Sequence, residues 1–254
     1  MNTHELNRLL GLLLSLALCL SLDSFATAQQ SSNPTEATAN GAPGSVAENN
    51  PDETADDAEA ERRIIRIIGD TKLDVHQWPL LGKPDARYVF VEMFDYTCPH
   101  CRDMHHEIDA AFKRFGDDLA VLTLQVPLNA SCNNQVGSTE SQHRESCEIA
   151  NFAIAVWRLQ PKKYHEYHDW LFEPKVARSA TAARQRAVEI VGEEPLKKTL
   201  DKQVPQKYIA SHVKLYAKAG AGSIPKMLFP NITLVGNVGS AKLCETIERE
   251  LGND

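Results

Sequence analysis

The chain lacks any apolar run long enough to cross a bilayer as an ordinary helix. Its longest, Leu9 to Leu22, is about 14 residues where roughly 20 are needed. No stripe of Lys and Arg interleaved with aromatics is present, which removes the electrostatic footprint of a nucleic-acid binder. No organic-cofactor motif is present either. Six cysteines in 254 residues are too few to staple a disulfide miniprotein, so a hydrophobic core must carry the stability. The net charge of −7 is unevenly placed. Residues 29–61 hold eight acidic residues and no Lys or Arg, which leaves residues 62–254 close to neutral. That acidic stretch also has almost no large apolar side chains. It cannot bury enough surface to offset its ordering entropy, and it reads as a disordered acidic linker.

Residues 1–28 have the pattern of a secretory signal. Arg8 supplies the positive start, the apolar run follows, and Ala26-Thr27-Ala28 fits a small-residue cleavage site. Retention of the segment as a membrane anchor is the alternative. Cys19 invites a lipid-attachment reading, but Leu18 before it is bulky where a small residue is wanted. Export places the mature chain in an oxidising compartment, periplasmic or otherwise outside the cytoplasm, where disulfides persist.

The most informative stretch is Val89 to Cys101. An apolar strand runs into a turn and then into Cys98-Pro99-His100-Cys101. Beyond it Met104, Ile108, Ala111, Phe112 and Phe115 recur at helical spacing. Cys98 therefore falls at a helix start, where unpaired N–H groups and the positive dipole end favour a thiolate. Pro99 suits an early helical position. Cys101, one turn on, is placed to close a disulfide with Cys98. One ionised, reachable sulfur and one resolving sulfur are what thiol–disulfide exchange requires. Half of a zinc site is the alternative, but no second close cysteine pair completes it. His100 lies between the cysteines, where its imidazole can stabilise the Cys98 thiolate; otherwise it is an exposed turn histidine. Glu92 interrupts an apolar strand. If buried, its raised pKa suits it to relay protons to or from Cys101; otherwise it reaches the strand edge and solvent. Asp95 caps or lines the turn before Cys98.

Cys98-Pro99-His100-Cys101, after a strand carrying Glu92, resembles the DsbA family of exported thiol–disulfide oxidoreductases. The lead-in Pro79 to Ala86 and the pair Ile224-Pro225 resemble that family as well. The resemblance spans roughly Arg62 to Leu251. It implies a thioredoxin-like α/β fold with an inserted helical domain, and an acid at the position of Glu92. It also implies a cis Pro225 opposite the redox pair, with Ile224 and Pro225 presenting backbone to an extended substrate.

The chain order agrees. Short strands are expected around Gly69-Asp70, a loop at Pro79–Asp85, strands at Tyr88–Phe94 and Leu119–Val126, and the redox helix between those two. Helical spacing then covers Glu145–Leu159, Lys162–Phe172, Ala180–Val191 and Val204–Ala219. Short strands at Lys226–Phe229 and Ile232–Val235 and a helix at Ser240–Leu251 close the chain. The expected domains are thus 62–127 with 222–254, thioredoxin-like, and 128–221, helical.

Cys132 and Cys147 flank a polar loop and suit a structural disulfide, whose closure of about 16 residues contributes roughly 3 kcal/mol. A second redox pair is the alternative. Cys244, beside an apolar helix face, reads as a buried inert thiol. His105 and His106 read as packing or surface residues, and no metal site is expected. Asn129-Ala130-Ser131 and Asn231-Ile232-Thr233 match glycosylation sequons by chance.

By resemblance, the function is introduction of disulfides into unfolded or reduced exported proteins. The Cys98–Cys101 disulfide is the redox group, with no other cofactor. A membrane quinone-linked oxidoreductase of DsbB type is the expected reoxidant. Isomerases of this class carry an N-terminal dimerisation domain; an acidic linker in that place argues for a monomeric oxidase. A reductase or isomerase is the first rival and a metal-binding chaperone the second.

Overall fold

A computed structural model describes residues 62–252. The expected signal, Cys19 and the linker lie outside the described residues. Among the described residues no helix is long and apolar enough to cross a membrane.

β1 (Ile64–Arg66) and β2 (Lys72–Asp74) form an antiparallel hairpin around Gly69-Asp70. Arg63 ties it to the main body by donating to the carbonyls of Pro84 and Ala86. The main sheet has five strands: β3 (Leu80–Gly82), β4 (Tyr88–Phe94), β5 (Leu119–Gln125), β6 (Lys226–Leu228) and β7 (Thr233–Val235). Their order is β3-β5-β4-β6-β7. β4 and β5 pair in parallel over their full length, from Tyr88 opposite Leu119 to Phe94 opposite Gln125. The other pairings are antiparallel. All seven residues of each central strand are buried, as expected of strands covered on both faces.

Parallel neighbours need a crossover, and α1 (Pro99–Phe115) supplies it. Its buried stripe of Cys101, Met104, Ile108 and Ala111 follows the 3.6-residue period. Period-two alternation in β4 points Tyr88, Phe90, Glu92 and Phe94 to one face. Tyr88 meets Phe115 of α1 edge-on at 5.3 Å.

Five helices lie between β5 and β6: α2 (Ser146–Leu159), α3 (Pro161–Phe172), α4 (Ala180–Val191), α5 (Glu193–Asp201) and α6 (Val204–Lys218). α2 is buried on almost every side, and α3 to α6 pack around it. α7 (Ser240–Leu251) closes the chain against α1 and β4, with Leu243, Ile247, Leu251 and Cys244 buried. The fold is thus thioredoxin-like with an inserted helical domain.

Two elements differ from the sequence reading. The expected loop at Pro79–Asp85 contains β3, an edge strand in register with β5 from Leu80 opposite Leu122 to Gly82 opposite Ala120. Helix α5 was not expected; it buries one residue, Leu196. Gly82 has φ +85°, and a Cβ there would collide with the Leu119 carbonyl oxygen. Gly82→Ala is therefore expected to destabilise the protein by about 1–3 kcal/mol in urea unfolding, because strand pairing and the left-handed backbone both oppose a side chain.

Candidate active site

β4 ends at Phe94 and α1 begins at Pro99, so four residues make the turn between them. Asp95 organises it. Its buried carboxylate accepts from the Thr97 amide (2.6 Å), the Thr97 hydroxyl (2.7 Å) and the Leu128 amide (2.5 Å). Burial pushes the Asp95 carboxyl up, and these hydrogen bonds oppose the shift. The Cys98 amide donates back to the Asp95 carbonyl at 3.1 Å. Asp95 thus lines and braces the turn, and Cys98 is left as the N-cap residue of α1.

The two thiols are free in this dithiol form, and their environments differ. Cys98 is 5% exposed and Cys101 is fully buried. The side-chain hydrogen bond from Cys101 is the largest influence on Cys98. With the Cys101 and His100 backbone amides it brings the Cys98 pKa down to about 7 against the opposing effect of burial. Burial pushes the Cys101 thiol well above its ordinary value, and its hydrogen bond to Cys98 adds to that. His100 itself is exposed, and its backbone N–H bonds the Cys98 sulfur. Pro99 occupies the first helical position, exposed beside it.

Glu92 does not reach the strand edge. It is fully buried opposite Thr123, with neither carboxylate oxygen hydrogen-bonded. Desolvation, with repulsion from Asp109 second, raises its pKa to about 8. Its charge in turn raises the pKa of Cys101.

The Ile224–Pro225 bond is cis. Lys226 pairs with Met93, so Pro225 sits one residue further along, at the end of β4 from which the chain turns to Cys98. Ile224 is 7% exposed. Ile224 and Pro225 are both buried. Tyr216 donates to the Gly222 carbonyl and Lys226 to that of Ala219 at 3.2 Å, which ties down the loop before the proline.

Cys132 and Cys147 form a disulfide, with S–S 2.07 Å and Cα–Cα 6.1 Å. It closes a loop carrying His143, whose Nδ1 lies 2.7 Å from the Thr97 hydroxyl. Within that region the Asn129 side chain donates to the carbonyls of His143 and Arg144.

Sequence reasoning missed several residues around the turn. Thr97 and His143 are two. Arg102 is buried and donates to the carbonyls of Tyr96 and Phe172, at 3.2 Å each. Tyr96 shares a hydrogen bond with His168 of α3 at 2.9 Å. Tyr164 of α3 bonds Thr123 and Gln125 of β5 at 2.7 and 2.8 Å. The aromatic content of α3 was a signal for such a network, but nothing local tied it to the redox turn.

A thioredoxin family model matches residues 75–249. The chain belongs to the thioredoxin family. Disulfide bond formation protein D of Bacillus subtilis is 25% identical over 185 residues, covering 68% of this chain and 77% of that protein. Among solved structures, oxidised BdbD of Bacillus subtilis superposes with a TM-score of 0.56 at 22% identity, covering 71% of this chain and 96% of that one. The catalytic domain of Proteus mirabilis ScsC gives 0.55 at 23%, covering 69% and 89%. With this fold and these relatives, the thioredoxin-family chain is a DsbA-like thiol–disulfide oxidoreductase.

Two measurements follow from the site. In the reduced protein, thiolate absorbance and alkylation rate should both titrate with a midpoint near pH 7, and Cys98→Ser should remove that transition. For Glu92 the folded-state pKa is raised above the unfolded value of 4.5, to about 8. The native state then holds the proton longer, so stability falls as pH rises through that window. Wild-type stability relative to Glu92→Gln should fall by about 1.4 kcal/mol per pH unit between the two values and stay flat outside them. Urea unfolding of both proteins across pH 4–9 checks this.

Proposed function

We propose that this oxidoreductase is exported and introduces disulfides into unfolded or reduced exported proteins. The observation that carries the reading is the asymmetry of the thiol pair: Cys98 is poised to ionise near neutrality, and Cys101 is held protonated beneath it. In the oxidised enzyme a substrate thiolate attacks the Cys98 sulfur. The Cys98–Cys101 bond breaks, a Cys98–substrate bond forms, and the electron pair leaves on Cys101. Glu92, protonated near neutrality, is the nearby acid that supplies the proton Cys101 then takes up. The substrate's second thiolate attacks its own sulfur in the mixed disulfide, releasing oxidised substrate and the Cys98 thiolate. Two substrate thiols are oxidised and one enzyme disulfide is reduced. The main chain at Ile224 and Pro225 aligns the substrate as an added strand. The reduced enzyme is returned to the disulfide by a membrane quinone-linked oxidoreductase of DsbB type. The Cys132–Cys147 bond is structural in this scheme.

One observation favours a second reading, a reductase or isomerase. A Cys98 pKa of about 7 equals the value typical of thioredoxin, whereas strongly oxidising members have much lower ones. A more stable thiolate means a more oxidising disulfide, so the reduction potential separates the two. In glutathione buffers, a potential towards about −120 mV supports the oxidase and one near about −270 mV supports the reductase. Cys98→Ala should abolish exchange in either direction, measured by oxidative refolding of a reduced substrate and by reduction of insulin. Retained activity would remove the mechanism.

A further inference from the structure

The seam between α1 and α3 holds a group of side chains that the exchange mechanism does not use. His105 and Asp109 lie one turn apart on α1, and His165 and Asp169 lie one turn apart on α3. His105 is 3% exposed. Its Nε2 faces two carboxylates, Asp169 Oδ1 at 3.6 Å and Asp109 Oδ2 at 3.8 Å. Those three donor atoms lie within 4.8 Å of one another. His165 Nε2 approaches the same Asp169 Oδ1, also at 3.6 Å.

These separations are too long for hydrogen bonds, which close at about 2.7–3.2 Å. Among the described residues, His105 Nδ1 and Asp169 Oδ1 have no hydrogen-bond partner. Neither Asp109 nor Asp169 pairs with a Lys or Arg there. A buried imidazole nitrogen and two partly exposed carboxylates thus converge on one point at ion-pair distance. A tetrahedral ion with bonds of about 2.0–2.1 Å places neighbouring ligand atoms about 3.3 Å apart. Two of the three separations, 3.6 and 3.8 Å, are within a few tenths of an ångström of that spacing, and the third is at most 4.8 Å. His106, next in sequence, is exposed and does not join the group.

We propose that His105, Asp109 and Asp169 form a site for a divalent transition-metal ion of the zinc class. Imidazole and carboxylate donors at this spacing suit zinc; calcium and magnesium prefer oxygen ligands alone. The ion would fasten α1, which presents Cys98 at its start, to α3 of the helical insertion. The sequence reading of His105 as a packing residue captures its burial and misses what its ring nitrogen faces.

The test uses the oxidised protein, so that Cys98 and Cys101 are joined and cannot act as ligands. Cobalt(II) is titrated by visible absorbance and zinc(II) by calorimetry. The expected result is one saturable site, weakened at least tenfold in Asp109→Asn and in Asp169→Asn. Both positions are partly exposed, so these variants keep the fold. Zinc should raise the unfolding temperature of the wild type and not that of Asp169→Asn. No saturable binding, binding by the two variants as tight as by the wild type, or a thiolate-to-cobalt charge-transfer band would each overturn the proposal. The readout is independent of exchange activity, so it stands or falls separately from the direction of catalysis.

Discussion

The parallel pairing of β4 with β5 is the constraint from which the site follows. Two adjacent parallel strands cannot be joined by a hairpin, so the chain must leave the end of β4, cross over the sheet and return. α1 is that crossover, and its N-terminus is therefore forced to the edge of the sheet where β4 ends. Whatever residue caps this helix receives unpaired amides and the positive end of the dipole. Here that residue is Cys98. β6 pairs antiparallel on the other side of β4, which brings Pro225 to the same edge from a position far along the chain. Nucleophile and proline loop meet because of sheet topology, with no contact needed between them to hold the arrangement.

Desolvation then separates two chemically identical thiols. Cys98 caps the helix with backbone amides and the Cys101 thiol directed at its sulfur; Cys101 faces the core, with Glu92 and apolar neighbours around it. The same burial that destabilises a Glu92 carboxylate keeps that group protonated within electrostatic reach of the Cys101 thiol. The cost is a pair of carboxyl oxygens without partners inside the sheet, a local loss of stability retained where the chemistry occurs.

The parts of the fold readable from sequence are those whose signal is local. β4 and β5 are largely apolar runs, β4 interrupted only by Glu92 and β5 ending one residue short of the expected Val126; α4 and α7 keep their periodicity to the last residue, so the limits of those helices coincide with the pattern. β3 is three residues set among Pro79, Gly82 and Pro84; turn-forming residues hid a strand that exists because β5 offers it an edge. α5 buries one side chain and leaves almost no apolar stripe to read. The same distinction governs the site. Cys98, Cys101 and Glu92 stand out within a single short stretch. Thr97 with His143, 46 residues apart, and Tyr96 with His168, 72 apart, depend on how the insertion folds back on the turn. His100 stands out in sequence for its imidazole; that its backbone amide also bonds the Cys98 sulfur is visible only in the folded turn.

The Cys132–Cys147 bond reaches further than the loop it closes. It closes the loop from which His143 reaches the redox turn. A newly made copy begins with those two cysteines as thiols, alongside the pair at Cys98 and Cys101. Until they are joined, nothing covalent holds the His143 loop against the turn it braces. One covalent bond thus sets both the loop and its contact with the turn before Cys98, and opening that bond would loosen the turn from a distance.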